Sequence, residues 1–283
     1  MSSTDPKPRQ EKFVRLLSLL ADAESAVLAF SGGVDSSFLL RAVKMSGIRF
    51  LAVTGSSETV PEKELIRAAS FAEQEGAEHR VITTGEMHNE LFVANPPDRC
   101  FYCKQDLFGR LREIAETENY RFIFDGSNAD DLNDYRPGRK AAGLYGVRSP
   151  LAECGLSKQN IRQLSRDLGL DTWDRPASPC LSSRFPYGQR ITPYLLKRVE
   201  KAEEFLKNLG MSTVRVRVHG DMARIEVPEQ DIPVILERDV RGRITAAFRS
   251  LGFTFISLDL EGFQSGNMNR SLSEEVQQTR NSA

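Results

Sequence analysis

The chain is short of several things. Among its 283 residues are four cysteines, three histidines and one tryptophan. The histidines, His79, His88 and His219, show no metal-ligand spacing and are assigned no role. No apolar run approaches the ~20 residues that a membrane span needs. The opening stretch MSSTDPKPRQEKF is polar and lacks the apolar core of a signal peptide. The expectation is a cytoplasmic protein with no membrane partner. An excess of one charge is missing too. The chain carries 38 Lys and Arg against 39 Asp and Glu, a net charge of −1. That argues against a strongly basic surface, so no nucleic-acid partner is expected. What remains, 40% hydrophobic and 27% charged residues, is the composition of a chain with a real core. Its length suits one large or two modest domains.

The pattern along the chain begins with residues 1–11, which read as a flexible leader. Residues 12–22, KFVRLLSLLAD, carry apolar side chains at helical spacing. SAVLAF (25–30) is a short apolar run ending at two glycines, as a buried strand does. Helix signals over 36–45, 61–76 and 104–120 then alternate with strand signals over 48–55, 78–84 and 121–126. This alternation predicts an α/β fold, a doubly wound and mostly parallel sheet whose ligand crevice lies beyond the carboxyl ends of the strands. Near residue 190 the rhythm changes. A long amphipathic helix (192–210) precedes STVRVRVHG and ARIEVPE, which alternate apolar and charged residues like an antiparallel hairpin. A helical stretch over 229–251 and a strand over 253–260 follow. The expected layout is an α/β domain over 12–190, a smaller α+β domain over 191–264, and a polar tail over 265–283. One face of the smaller sheet should expose Arg215 and Arg217.

The stretch AFSGGVDSS (29–37) sits between the first strand and its helix. Glycines let backbone N–H groups approach a ligand, and a helix N-terminus adds partial positive charge. Ser31, Ser36 and Ser37 offer hydroxyl donors, so the stretch suits a phosphate. It lacks the Lys-Ser/Thr of the common P-loop and the spacing of the dinucleotide fingerprint. SGG-x-DS resembles instead the signature of the PP-loop ATP pyrophosphatases, whose fold is adenine nucleotide alpha hydrolase-like. The resemblance implies that Ser31, Gly32, Gly33, Asp35, Ser36 and Ser37, with Gly126 after the fourth strand, hold ATP. A carboxylate at Asp35 makes sense beside Mg²⁺. The implied chemistry is adenylation: an oxygen attacks the α-phosphorus, pyrophosphate leaves, and a nitrogen or sulfur nucleophile then displaces AMP. Amide-forming relatives such as NAD and GMP synthetases use ammonia and need no cysteine.

The scarce cysteines therefore carry weight. Cys100 and Cys103 form a C-x-x-C pair in RCFYCKQ, and Cys180 lies in ASPCLSSRFPYGQRIT among Pro176, Pro179 and Pro186. In a reducing compartment such a pair is catalytic or metal-binding rather than a structural disulfide. A Cys₄ zinc site recruiting Cys154 and a thioredoxin-like redox pair both stay open on spacing alone. Cys154 by itself reads as a small half-buried filler.

DGSNADDLNDYRPGRKAA (125–142), SSRFPYG (182–188), TVRVRVHGDMARIEVPE (213–229) and SLDLEGFQSGNMN (257–269), with the glycine loop, resemble the LarE family. These are ATP-dependent sulfur transferases of nickel-pincer cofactor biosynthesis. The resemblance spans about residues 12–270. It implies a pyridinium-3,5-dicarboxylate mononucleotide substrate whose carboxylates become thiocarboxylates. Family members take sulfur either from one sacrificed cysteine or from a [4Fe–4S] cluster on three cysteines. Here Pro179 stands where the sacrificial version has its cysteine, and Cys100, Cys103 and Cys180 match the cluster version. Three thiolates leave one iron open, as a reaction site requires. A sacrificial Cys180 stays a second reading, and a PP-loop tRNA thiolase a third, which the net charge disfavours. The sulfide source is not identified by the sequence.

At the substrate end, guanidinium forks at Arg184, Arg215 and Arg217 match a nucleotide phosphate. The resemblance places Glu203 and Glu226 with them at a phosphate or divalent-metal site, and implies a homo-oligomer, a trimer or hexamer. Lys104, next to Cys103, is positioned to neutralise the transferring phosphoryl group. Asp131 and Asp134 are candidates for holding Mg²⁺ or the ribose.

Overall fold

The structure is a computed structural model that describes residues 6–133, 138–264 and 267. Its first elements are α1 (Pro6–Ala21), β1 (Ser25–Ala29), α2 (Val34–Ser46), β2 (Arg49–Ser56), α3 (Glu62–Gln74), β3 (His79–Thr83) and the single turn α4 (Glu90–Val93). There follow α5 (Arg99–Thr117), β4 (Phe122–Phe124), α6 (Gly138–Leu144), β5 (Val147–Arg148), α7 (Pro150–Glu153) and α8 (Lys158–Asp167). The last are α9 (Pro193–Asn208), β6 (Arg215–His219), β7 (Met222–Glu226), α10 (Ile232–Leu236), α11 (Arg238–Ser250) and β8 (Phe255–Leu258). The chain divides into two compact units. One comprises the described residues up to Glu86 together with Asp98–Ser178, and the other comprises Met87–Pro97 and the described residues from Pro179 on.

The first unit is a five-stranded sheet in the order β3-β2-β1-β4-β5. Every pairing is parallel. Alternate residues of β1 face opposite ways, and each face is apolar. Ala26 and Leu28 join a core with Phe13 and Leu16 of α1, Phe38 and Leu39 of α2, and Ile161 of α8. Val27 joins another core with Phe108 and Leu111 of α5 and Ala141 of α6. A strand buried on both faces reads as a continuous apolar run, which is why SAVLAF is one. From β1 the chain winds outward through β2 and β3, then returns to the other side of β1 for β4. The order reverses between β1 and β4, and a crevice opens at such a point beyond the strand ends.

Helix α1 begins at Pro6, inside the stretch read as a loose leader. The reason is tertiary: Arg9 donates to Gln163 Oε1 at 2.7 Å and to Asp167 at 2.9 Å, both on α8. Helix α5 starts five residues earlier than its apolar pattern indicates, so Cys100 and Cys103 lie in its first turns. Pro96, Pro97 and Asp98 mark that start in the sequence.

In the second unit β6 and β7 form the expected antiparallel pair, and β8 joins β7 in parallel. Val216, Val218, Ala223 and Ile225 are buried, as are Val199 and Leu206 of α9 and Phe248 of α11. The other face is not exposed as expected. Arg215 and Arg217 are 7% and 5% accessible, because carboxylates from α9 and β7 meet them. The segment from Met87 to Pro97 is held within this unit by its later residues. Ile191 N–H donates to Val93 O at 2.8 Å, Gly188 N–H to Asn95 O at 2.9 Å, and Asn95 Nδ2 to Pro186 O at 2.7 Å.

Candidate functional site

The glycine loop closes β1 and opens α2. Gly32 has φ +69°, and a Cβ there would stand 2.9 Å from the Ala68 Cα of α3. Only glycine fits both the left-handed backbone and that approach. Gly33 caps α2 without a side chain, so the first amides of the helix point outward. Ser36 Oγ donates to Gly33 O at 3.2 Å and lies 3.1 Å from Ser31 Oγ. Ser37 Oγ is buried with no hydrogen-bond partner. Gly126 follows β4 across the crevice, where a Cβ would meet the Ser36 nitrogen at 3.1 Å. The sequence-identified loop residues and Gly126 therefore converge at one place, where the strand order reverses.

Asp35 points to the same region. Asn128 Nδ2 donates to Asp35 Oδ2 at 2.9 Å. Burial pushes the Asp35 carboxyl above its ordinary range; the Asn128 hydrogen bond opposes the shift and nearby Asp131 adds to it. Asn128 is fully buried. Its side-chain oxygen accepts from the Asp130 amide at 3.0 Å, which fixes which end of its amide faces Asp35. Asp131 Oδ2 accepts from the Asn128 amide at 3.1 Å, and Lys158 Nζ pairs with Asp131 at 3.3 Å. Asn128 escaped sequence reasoning, although its place in an Asx-rich turn after β4 is the available signal. Asp134 lies outside the described residues.

All four cysteines are thiols outside any disulfide. Cys100 and Cys103 are three residues apart on α5 and so share a face. Cys100 is exposed, and Cys103 Sγ lies 4.0 Å from Glu86 Oε1, which also accepts from Ser57 and Thr59. Lys104 Nζ sits 4.8 Å from the centre of the Phe108 ring, a cation–π contact. Cys154 is buried in the apolar core, where burial raises its thiol pKa. It is a core filler, as its sequence context indicates. Among the described residues, no three or more His, Cys, Asp or Glu side chains gather in a way that would hold a metal ion.

Cys180 lies in the second unit, just ahead of a 3₁₀ turn over Leu181–Arg184. Arg184 is almost wholly buried and forms a two-pronged pair with Glu203: Nε to Oε1 at 2.8 Å and Nη2 to Oε2 at 2.9 Å. Burial alone would raise the Glu203 pKa, but the charge and hydrogen bonds of Arg184 hold it below the usual carboxylate range. Arg217 pairs with Glu226 at 2.8 Å and donates to Ser183 O. Arg224 and Asn267 also donate to Glu226. Burial lowers the Arg215 pKa to about 10, and the neighbouring Arg184 adds to the shift. Guanidinium groups therefore outnumber carboxylates in this cluster, a field that favours an added anion.

An all-parallel sheet reversing at a serine- and glycine-lined loop defines an α/β protein of the PP-loop class. No family model matches the chain. An uncharacterised protein of Synechocystis sp. is 42% identical over 266 residues, covering 94% of this chain and 99% of that one. A protein of Lactiplantibacillus plantarum named pyridinium-3,5-bisthiocarboxylic acid mononucleotide synthase is 39% identical over 93% of this chain and 95% of its own. An uncharacterised protein of Methanocaldococcus jannaschii is 29% identical over 90% of this chain and 98% of its own. The chain belongs to the LarE family of sulfur-transferring enzymes that the L. plantarum synthase represents. No helix among the described residues is long and apolar enough to cross a membrane.

Proposed function

We propose that the protein is an ATP-dependent sulfur transferase that adenylates the carboxylates of pyridinium-3,5-biscarboxylic acid mononucleotide and converts them to thiocarboxylates for the nickel-pincer cofactor. What carries the reading is the loop at residues 31–37, with left-handed Gly32 packed against α3 and Gly33 capping α2 without a side chain, in a chain of this family. A substrate carboxylate oxygen attacks the α-phosphorus of ATP, and the bond to pyrophosphate breaks. A sulfur nucleophile then attacks the acyl carbon and AMP leaves. Catalysis of this kind is positioning and charge neutralisation. The amides after Gly32 and the hydroxyls of Ser31 and Ser36 receive pyrophosphate, with Ser37 buried behind them. Asp35, aimed by Asn128, holds Mg²⁺, and Lys104 neutralises phosphoryl charge. Arg215, in its excess of positive neighbours, attracts the nucleotide phosphate. A divalent ion at Glu203 and Glu226 would have to displace their guanidinium partners.

The sulfur source belongs to the same proposal. Cys100, Cys103 and Cys180 would hold a [4Fe–4S] cluster. The donor set fits in kind, since all three are thiols outside disulfides and none is fully buried. When bound, such a cluster supplies a sulfide on its open iron. Assembly as a trimer or hexamer follows from the family resemblance and is read by the mass of the protein in solution.

The test is iron and labile sulfide on protein purified without air, together with AMP formation that depends on the dicarboxylate nucleotide. About four irons per chain, lost in Cys100→Ala together with sulfur transfer, is the expected outcome. Iron-free protein that still thiolates its substrate would overturn the cluster. A loss of about 34 Da at Cys180 after one turnover would then identify a sacrificed thiol. Absence of substrate-dependent AMP would overturn the adenylation itself.

A further inference from the structure

The bonds of Arg184 reach beyond the basic cluster to the turn that carries Cys180. Nη1 donates to Pro179 O at 2.8 Å, Cys180 O at 3.1 Å and Ser183 Oγ at 2.9 Å. Nε and Nη2 are taken by Glu203. Each of the three side-chain nitrogens is thus committed within the protein. The Cys180 carbonyl accepts from three donors: Arg184 Nη1, the Ser183 amide at 3.1 Å and Ser183 Oγ at 2.9 Å. Glu203 is anchored in turn by the Val216 amide at 3.0 Å, which ties the arrangement to β6. Arg217 pins the other side of the turn through Ser183 O at 2.8 Å.

We infer that Arg184 is a positioning residue for Cys180: its buried pair with Glu203 fixes the guanidinium, which clamps the backbone on both sides of the thiol. The inference rests on the reading that Cys180 takes part in sulfur transfer, and it deepens that reading. A loop carrying a reactive thiol between prolines lacks a strand ladder to define it. A guanidinium whose fork is fixed on Glu203 and whose remaining nitrogen, Nη1, reaches three loop oxygens provides the missing definition. Lysine cannot replace it, because one ammonium cannot span a carboxylate and two carbonyls at once. The nucleotide phosphate is then not held by Arg184.

Arg184→Lys separates the roles. The first readout is alkylation of Cys180 by iodoacetamide in metal-free protein without nucleotide, measured by peptide mass spectrometry against the exposed Cys100 in the same sample. A clamp predicts a change of at least threefold in the Cys180 rate relative to Cys100. The second is the split between binding and chemistry: KM for the dicarboxylate nucleotide in AMP formation stays within twofold, while sulfur transferred per AMP falls tenfold or more. A tenfold rise in KM with unchanged coupling and unchanged alkylation would make Arg184 a phosphate ligand and overturn the inference. If Arg184→Lys does not fold, Ser183→Ala carries the test, since it deletes a hydroxyl bonded to both Arg184 and the Cys180 carbonyl. Wild-type alkylation and coupling in that variant would overturn the clamp. Failure of the wild type to form AMP would refute the proposed function, while the alkylation result still decides the clamp.

Discussion

Replacing Gly32 with alanine tests the glycine loop with one methyl group. Two costs can be worked out. An L-residue held at φ +69° loses about 1–2 kcal/mol to the clash of Cβ with the backbone. The new Cβ would also stand 2.9 Å from the Ala68 Cα and 3.0 Å from its Cβ. These are α3 atoms that no rotamer change can move. Relieving such an overlap shifts backbone and costs about 1–3 kcal/mol. The sum, about 2–5 kcal/mol, is a large part of the ~5–15 kcal/mol that holds a typical domain. Gly32→Ala is therefore expected to fold at 25 °C with its thermal midpoint lowered on the order of 10 °C. The functional loss should be larger. Either α3 retreats or the loop moves, and a loop moved by half an ångström no longer presents its amides to a phosphate. Calorimetric titration with ATP and Mg²⁺, below the melting range, should show at least a tenfold loss of affinity. Wild-type affinity together with a melting shift under about 2 °C would refute the reasoning.

Two further predictions rest on single side chains. Cys154, with its thiol pKa raised by burial, should resist alkylation in native protein for as long as the fold lasts and react on denaturation; labelling at the rate of Cys100 would contradict its place in the core. His79 has its pKa lowered from 6.5 by burial, and its Nε2–H donates to Thr54 Oγ, whose own proton goes to Phe30 O. The unfolded chain binds this proton more readily than the folded one. The stabilisation is therefore complete above the unfolded pKa of 6.5 and declines as pH falls through that value toward the folded pKa. Thermal midpoints between pH 5 and 8 should show this slope, and His79→Gln should reduce it, leaving the share of His219, whose pKa burial also lowers.

The first unit was legible because its strands are buried on both faces and its helices are striped on one. Period and apolar runs therefore placed most elements near their observed positions, and SGGVDSS marked the loop. The start of α5 was misplaced because its first turns, RCFYCKQ, are not amphipathic; the proline pair ahead of them was the better guide. The two-residue β5 is too short to leave a pattern. The parallel entry of β8 depends on a partner chosen by topology, which period-2 alternation does not encode. Arg215 and Arg217 read as a solvated face because local alternation shows only that the two sides differ. That both sides are buried depends on Glu203 of the preceding helix α9 and Glu226 of the neighbouring strand β7. Asn128 was passed over because a buried amide inside an acidic turn looks the same in sequence as an exposed one.

The segment from Met87 to Pro97 belongs to the second unit although the chain returns to the first for another eighty residues. This has a consequence for synthesis on the ribosome. Val93 and Asn95 emerge about a hundred residues before the amides of Gly188 and Ile191 that they accept from. At roughly 5–20 residues per second, that is a wait of about 5–20 s. During it, Phe92 and Val93, both buried in the finished protein, are without the residues from Pro179 on that complete their unit. The nascent chain thus carries an open apolar bight while the rest of the first unit is still being made. A chain truncated at Ser178 would carry that bight permanently. Separating the units as independent fragments accordingly requires excising residues 87–97 from the first and supplying them to the second.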